Sequence, residues 1–223
     1  RDQPRSRGLG DVYKRQNIYY QWYSPTVEPN GEVIILVHGF STPSFVWKGI
    51  LEDLQSSGFK ILTYDHYGRG FSERPSTAYT KDFYVSTLNE LIDHETINRP
   101  VHLVGYSMGG PVVGFYADKY PDRVASLSLI APAGFAHLSP ESSSTDLMYY
   151  PFLGEWFFNV FRSKFKNMLM PETEESEDLR AISQEEYKML FTTQFQYKGY
   201  IEALLSTLRN FNLFNTLKSH NNV

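Results

Sequence analysis

The chain has 223 residues, a formal charge of −4 from 21 basic and 25 acidic side chains, 41% hydrophobic content and no cysteine. That length suits one domain with a large insertion, or two small ones. The charge leaves no basic footprint for phosphate, so nucleic acid is not an expected partner. The longest apolar runs, such as 33–37, fall far short of the roughly 18 residues of a membrane span.

Without cysteine there are no disulfides, thiol nucleophiles or thiolate ligands, which suits a reducing compartment and makes the cytoplasm the expected location. The six histidines, at 38, 66, 94, 102, 137 and 220, show neither HxxH nor HExxH spacing, so neither metal nor other cofactor is expected. Aromatic residues make up 16% of the chain, enough to suggest an apolar pocket without naming its ligand.

Residues 1–16 carry five Arg or Lys and no apolar period. The stretch Ser6-Arg7-Gly8-Leu9-Gly10-Asp11-Val12-Tyr13-Lys14-Arg15-Gln16 resembles a translated sequencing-library adapter. The segment is read as a non-native tail, at most a loose extension, with a short basic native tail as the alternative. On the adapter reading, the natural start and any targeting signal are missing.

Residues 17–23, rich in Ile, Tyr and Trp, predict a strand, and 25–31 supply Pro, Asn and Gly for a turn. The β-branched run at 33–37 has the composition of a strand buried on both faces of a parallel sheet. Residues 45–54 carry apolar side chains at helical spacing, with Gly58 as a stop. Residues 60–65 predict a strand and Tyr67-Gly68-Arg69-Gly70 a turn, which Arg69 and Asp65 are expected to brace. Thr80 can cap a helix running to about residue 93. Strands at 101–106 and 127–130 flank a helix at 108–120. This strand–helix alternation with short loops implies an α/β fold with a mostly parallel sheet and flanking helices.

From residue 137 to about 210 no strand-like run occurs. Ser183-Gln184-Glu185-Glu186 has the form of a capping box opening a helix through residue 195. The aromatic residues here, from Tyr149 to Tyr200, outnumber what a peripheral helical hairpin needs, so some are expected to face a ligand, although any one could simply pack. The acidic run at 172–178 reads as a solvated loop.

Chemistry concentrates in Gly105-Tyr106-Ser107-Met108-Gly109-Gly110. This is G-x-S-x-G between a buried strand and a helix, the context in which the pattern places a serine hydroxyl at the carboxyl edge of a sheet. The alternative is a structural turn that happens to carry a serine. Gly105 and Gly109 remove clashes that a Cβ would make beside so sharp a turn. Met108 N–H, at a helix N-terminus, can face a developing oxyanion. Phe40 N–H, in His38-Gly39-Phe40 after the strand at 33–37, is the candidate second donor, with His38 and Gly39 supporting.

These residues, with Asp65-His66-Tyr67-Gly68-Arg69-Gly70-Phe71-Ser72 and Tyr120-Pro121-Asp122-Arg123-Val124, resemble the α/β-hydrolase superfamily, closely over about 17–135. The resemblance implies hydrolysis of a carboxylic ester or related acyl bond of a small apolar substrate. It makes Ser107 the nucleophile, assigns the oxyanion hole to the amides of Phe40 and Met108, and makes 137–210 a cap inserted into a core whose first part is 17–136. It is similar in flavour to small-molecule and monoacylglycerol-type esterases and to capped C–C bond hydrolases. Ser at 107 argues against the haloalkane dehalogenases, which place Asp there.

The family's acid and base follow the serine, each after a late strand. Residues 211–223, read as a cut return to the core, contain no strand and only His220. No carboxylate follows the strand at 127–130. The last strands, the acid and the base are therefore expected beyond residue 223, leaving an inactive fragment. Two function classes are open: a serine hydrolase of that kind, or a non-catalytic hydrolase-like protein that binds a small molecule.

Overall fold

The computed structural model describes residues 5–8, 17–134, 150–160 and 182–211. Among them six strands form one sheet: β1 (Arg5–Gly8), β2 (Asn17–Tyr23), β3 (Val33–Val37), β4 (Lys60–Tyr64), β5 (Val101–Tyr106) and β6 (Val124–Ile130), in the order β1-β2-β4-β3-β5-β6. β1 and β2 are antiparallel to their neighbours, whereas β4, β3, β5 and β6 run parallel. The parallel strands require crossovers. These are α1 (Lys48–Ser56), α2 (Lys81–His94) and α3 (Gly109–Lys119).

The alternation of side chains along β3 explains why its whole run is buried. Val33, Ile35 and Val37 point into the larger core with residues of α2 and α3, such as Leu88, Leu91 and Val112. Ile34 and Leu36 point to the opposite face, where Trp47 is buried and Leu51 and Leu54 of α1 pack. A strand covered on both faces has no place for a polar side chain. α2 starts where expected, with the Thr80 hydroxyl accepting from the Phe83 N–H at 3.2 Å.

Two edges differ from the middle. Residues 5–8 were expected to trail loosely, yet they pair with β2 through Arg5↔Tyr20 to Gly8↔Asn17. The open N–H and C=O groups along that side of β2 accept any extended segment that reaches them. At the other end of the order, residues 125–130 of β6 are exposed, Leu127, Leu129 and Ile130 each by 40% or more.

The described part of 137–210 is helical: α4 (Leu153–Val160), α5 (Gln184–Thr193) and α6 (Tyr200–Asn210). Ser183 caps α5 by accepting from Glu186 N–H. The Glu186 carboxylate takes Lys48 Nζ at 2.7 Å, so the side-chain half of the expected capping box is directed to α1 instead. Phe158, Tyr187, Phe191, Phe195, Tyr200 and Leu204 form a core of their own. For these aromatic residues packing, not ligand contact, accounts for the composition. Tyr150, Phe152 and Trp156 are exposed. α6 joins the two cores, because Tyr200 and Leu204 belong to the helical cluster while Ala203 faces the sheet core. Tyr149, Phe161, Phe165, the run at 172–178, His137 and His220 lie outside the described residues.

No described helix is long and apolar enough to cross a membrane. The described residues hold no group of three metal-ligating side chains.

Candidate active site

β5 ends at Tyr106 and α3 begins at Gly109, leaving two residues to reverse the chain. Ser107 makes the reversal with φ +52°, a left-handed conformation uncommon for a side chain larger than hydrogen. The strain is held by hydrogen bonds on both sides: Ser107 N–H donates to Ile130 C=O at 3.0 Å, and its carbonyl accepts from Gly110 and Ala133 N–H, each at 3.0 Å. Both glycines of the pattern are required by space. A Cβ on Gly105 would lie 2.5 Å from Gly109 O and 2.6 Å from Val113 Cγ2, and one on Gly109 would overlap Val37 O. The start of α3 thus rests on the end of β3.

That contact brings His38-Gly39-Phe40 to the serine. A Cβ on Gly39 would lie 3.1 Å from Ser107 Cβ, so the two turns touch at the carboxyl edge of adjacent strands. Met108 is buried and caps α3 with helical backbone angles, φ −56° and ψ −31°. Its N–H, before the first turn of α3, has no acceptor within the helix.

The ring of His38 orients the peptide between Gly39 and Phe40. His66 N–H donates to His38 Nε2 at 2.8 Å, which places the proton on Nδ1, and Nδ1–H donates to Gly39 C=O at 2.8 Å. In a trans peptide C=O and N–H point opposite ways, so holding the Gly39 carbonyl also directs the Phe40 N–H. His66 in turn donates from Nε2 to His38 C=O at 3.2 Å. Both rings are fully buried.

Burial pushes His38 down to about 3, with the Arg69 charge adding to the shift, and burial, His38 and Arg69 likewise hold His66 well below the ordinary value of 6.5. Below pH 6.5 the unfolded chain binds protons at these rings that the folded chain refuses, so their contribution is complete above that pH and is lost as pH falls. Each ring contributes a slope of about 1.4 kcal/mol per pH unit. Asp65, raised by burial, acts with the opposite sign as pH rises above its ordinary value. Unfolding followed from pH 7.5 to 5.5 should show falling stability, and a flat profile would contradict two buried neutral imidazoles.

Of the two side chains expected to brace the turn, Asp65 does so and Arg69 does not. The buried Asp65 carboxylate accepts from Ser44 and Phe71 N–H at 2.8 and 2.9 Å, which braces the turn. Arg69 turns away, donating from Nε to Phe40 C=O and from Nη2 to Thr207 Oγ1, both at 2.8 Å. The sequence signal for that link is slight: an arginine between two glycines.

The remaining described histidines are remote. His102 is the second residue of β5, five residues and about 16 Å along the strand from Ser107, and contacts Ser126 and Glu32. His94 ends α2 and meets Glu95. His66 keeps Nδ1 without a partner, but its ring is enclosed by Tyr64, Tyr84 and His38. A cavity of about 220 Å³ between β2 and α5 is lined by Tyr19, Tyr23, Phe45, Asp65 and Tyr197, and Ser107 is not in its wall.

The chain is 30% identical over 190 residues to the monoacylglycerol lipase ABHD6 of Homo sapiens, covering 83% of this chain and 54% of that protein. It is 34% identical over 114 residues to lipase 3 of Moraxella sp., covering 51% and 36%. The chain therefore spans about a third to a half of the length of these relatives. In structure it is similar to Cfl2 from Burkholderia cenocepacia, with TM-score 0.74 at 20% identity over 92% of this chain and 70% of that one, a likeness of fold. A model of the alpha/beta hydrolase fold family matches residues 32–176, and the chain belongs to that family.

Proposed function

We propose that this is the site-bearing part of a serine hydrolase that cleaves a carboxylic ester, or related acyl bond, of a small apolar substrate. The hydrolase character is supported by relatives named as lipases. The observation that carries the serine assignment is the left-handed backbone of Ser107 between β5 and α3. Strain of this kind at a non-glycine residue clusters at functional sites, and in this reading it serves to present the hydroxyl to two backbone donors. In this reading Ser107 Oγ attacks the acyl carbon. Phe40 and Met108 N–H receive the oxyanion, and His38, Gly39, Gly105 and Gly109 hold the geometry.

A serine hydroxyl is a weak nucleophile without a base in hydrogen-bond reach. The four described histidines are occupied, enclosed or remote, so the general base and its acid belong to residues outside the described part. A second reading, a hydrolase-like protein that binds an apolar small molecule without cleaving it, is favoured by that same lack of a base near Ser107.

The two readings separate on covalent chemistry. Incubation with a fluorophosphonate, followed by digestion and mass spectrometry, is expected to place one adduct on the peptide carrying Ser107 and none on the Ser107→Ala variant. The incubation includes imidazole, which stands in for the base that no described residue supplies; adducts elsewhere, or none at all under that condition, would remove the hydrolase reading.

A further inference from the structure

Arg69 is the largest of the fully buried side chains, and among the described residues no carboxylate lies within ion-pair distance of it. A buried guanidinium held only by neutral acceptors is not what packing selects, because a desolvated charge is costly unless it serves some end. Its position supplies one. Nε grips the carbonyl of Phe40 in the loop after β3, and Nη2 grips Thr207 in α6. The guanidinium carbon lies 5.3 Å from the centre of the Phe40 ring and 5.9 Å from that of Tyr79.

We propose that Arg69 is a positioning residue for the Phe40 amide, setting the loop after β3 at a fixed distance from α6. The proposal rests on the serine-hydrolase reading above. Its strength is that the fork is rigid, so two donors a fixed distance apart dictate the spacing of the groups they hold. The far anchor is rigid as well: Thr207 Oγ1 donates to Ala203 C=O at 2.8 Å, and the Tyr84 hydroxyl lies 2.7 Å from it. α6 holds the loop a second time, through the Tyr200 hydroxyl and Ser41 C=O at 3.1 Å. The Phe40 N–H shares its peptide with Gly39 C=O, which His38 holds, while Arg69 holds the peptide that follows and Tyr200 the carbonyl after it, so Phe40 is fixed from both sides and its amide has little freedom to turn.

The test compares a tetrahedral anion with a neutral isostere, and needs no turnover. 2-Phenylethylboronic acid accepts the Ser107 oxygen lone pair to form an O–B bond; the hydroxyl proton passes to buffer and the negative charge resides on the boronate. 3-Phenylpropanamide has the same skeleton without that charge. For Arg69→Gln, boronate affinity is expected to fall roughly tenfold to a hundredfold, with amide affinity within about twofold. Arg69→Lys, which keeps the charge without the fork, should recover only part of the loss. Thr207→Val should reproduce the selective loss at smaller size, and decides the matter if Arg69→Gln does not fold. Equal losses for both ligands, or full boronate affinity in both Arg69→Gln and Thr207→Val, would overturn the proposal. Wild-type protein whose boronate affinity is unchanged in Ser107→Ala would instead overturn the hydrolase reading, and the proposal with it.

Discussion

Gly109→Ala is expected to cost about 3 kcal/mol or more, the upper part of the overpacking range. A methyl group there would overlap Val37 O and lie 2.8 Å from His38 O. Both obstacles are backbone, and neither can retreat: Val37 has no exposed surface, and β3 is bonded to β4 on one side and β5 on the other. The helix must move instead, and with it Ser107 and the hydrogen bonds that hold its strained angle. At about 2–4 °C per kcal/mol for a chain of this size, the melting midpoint should fall by about 10 °C. A variant melting within about 1 °C of wild type would mean that α3 does not rest on β3 as described.

The second large effect is on rate. A short-chain aryl ester should be turned over by this chain at no more than the residual level left when a triad is dismantled, about 10³ to 10⁴ over water. Binding and backbone donors would remain in that case, but no described side chain is placed to take the proton from Ser107. His94→Gln and His102→Gln should leave even this rate unchanged, since both residues sit away from the serine edge. Turnover at the level of an intact hydrolase would place the base within residues 1–223, with His137 and His220 the first to substitute.

Much of the core could be read from local pattern. The run at 33–37 is legible because burial on both faces leaves no choice but apolar residues, and Gly105 and Gly109 are legible because their Cβ atoms would strike backbone. The start of α2 is legible in Thr80, whose hydroxyl does locally what any N-cap does. What the chain conceals is long-range. The Arg69 fork spans 29 residues to Phe40 and 138 to Thr207, and nothing local distinguishes it from a residue bracing its own turn. The aromatic content of the helical part was ambiguous for a different reason. Tyr187, Phe191 and Phe195 follow helical spacing that suits a pocket wall and a private core equally, and only the fold shows them packed on one another. The pairing of residues 5–8 was invisible because an edge strand is chosen by the partner's free backbone rather than by its own side chains.

Chemical rescue tests most directly the claim of a preformed serine site that lacks a base among the described residues. Imidazole is added to the chain and to Ser107→Ala, and hydrolysis of the same aryl ester is followed as its concentration rises. The Ser107→Ala series measures what free imidazole does unaided. The wild-type rate is expected to rise above that series in proportion to imidazole, because the small base can take the proton that no described side chain reaches. Superimposable rates for the two proteins at every imidazole concentration would contradict the claim.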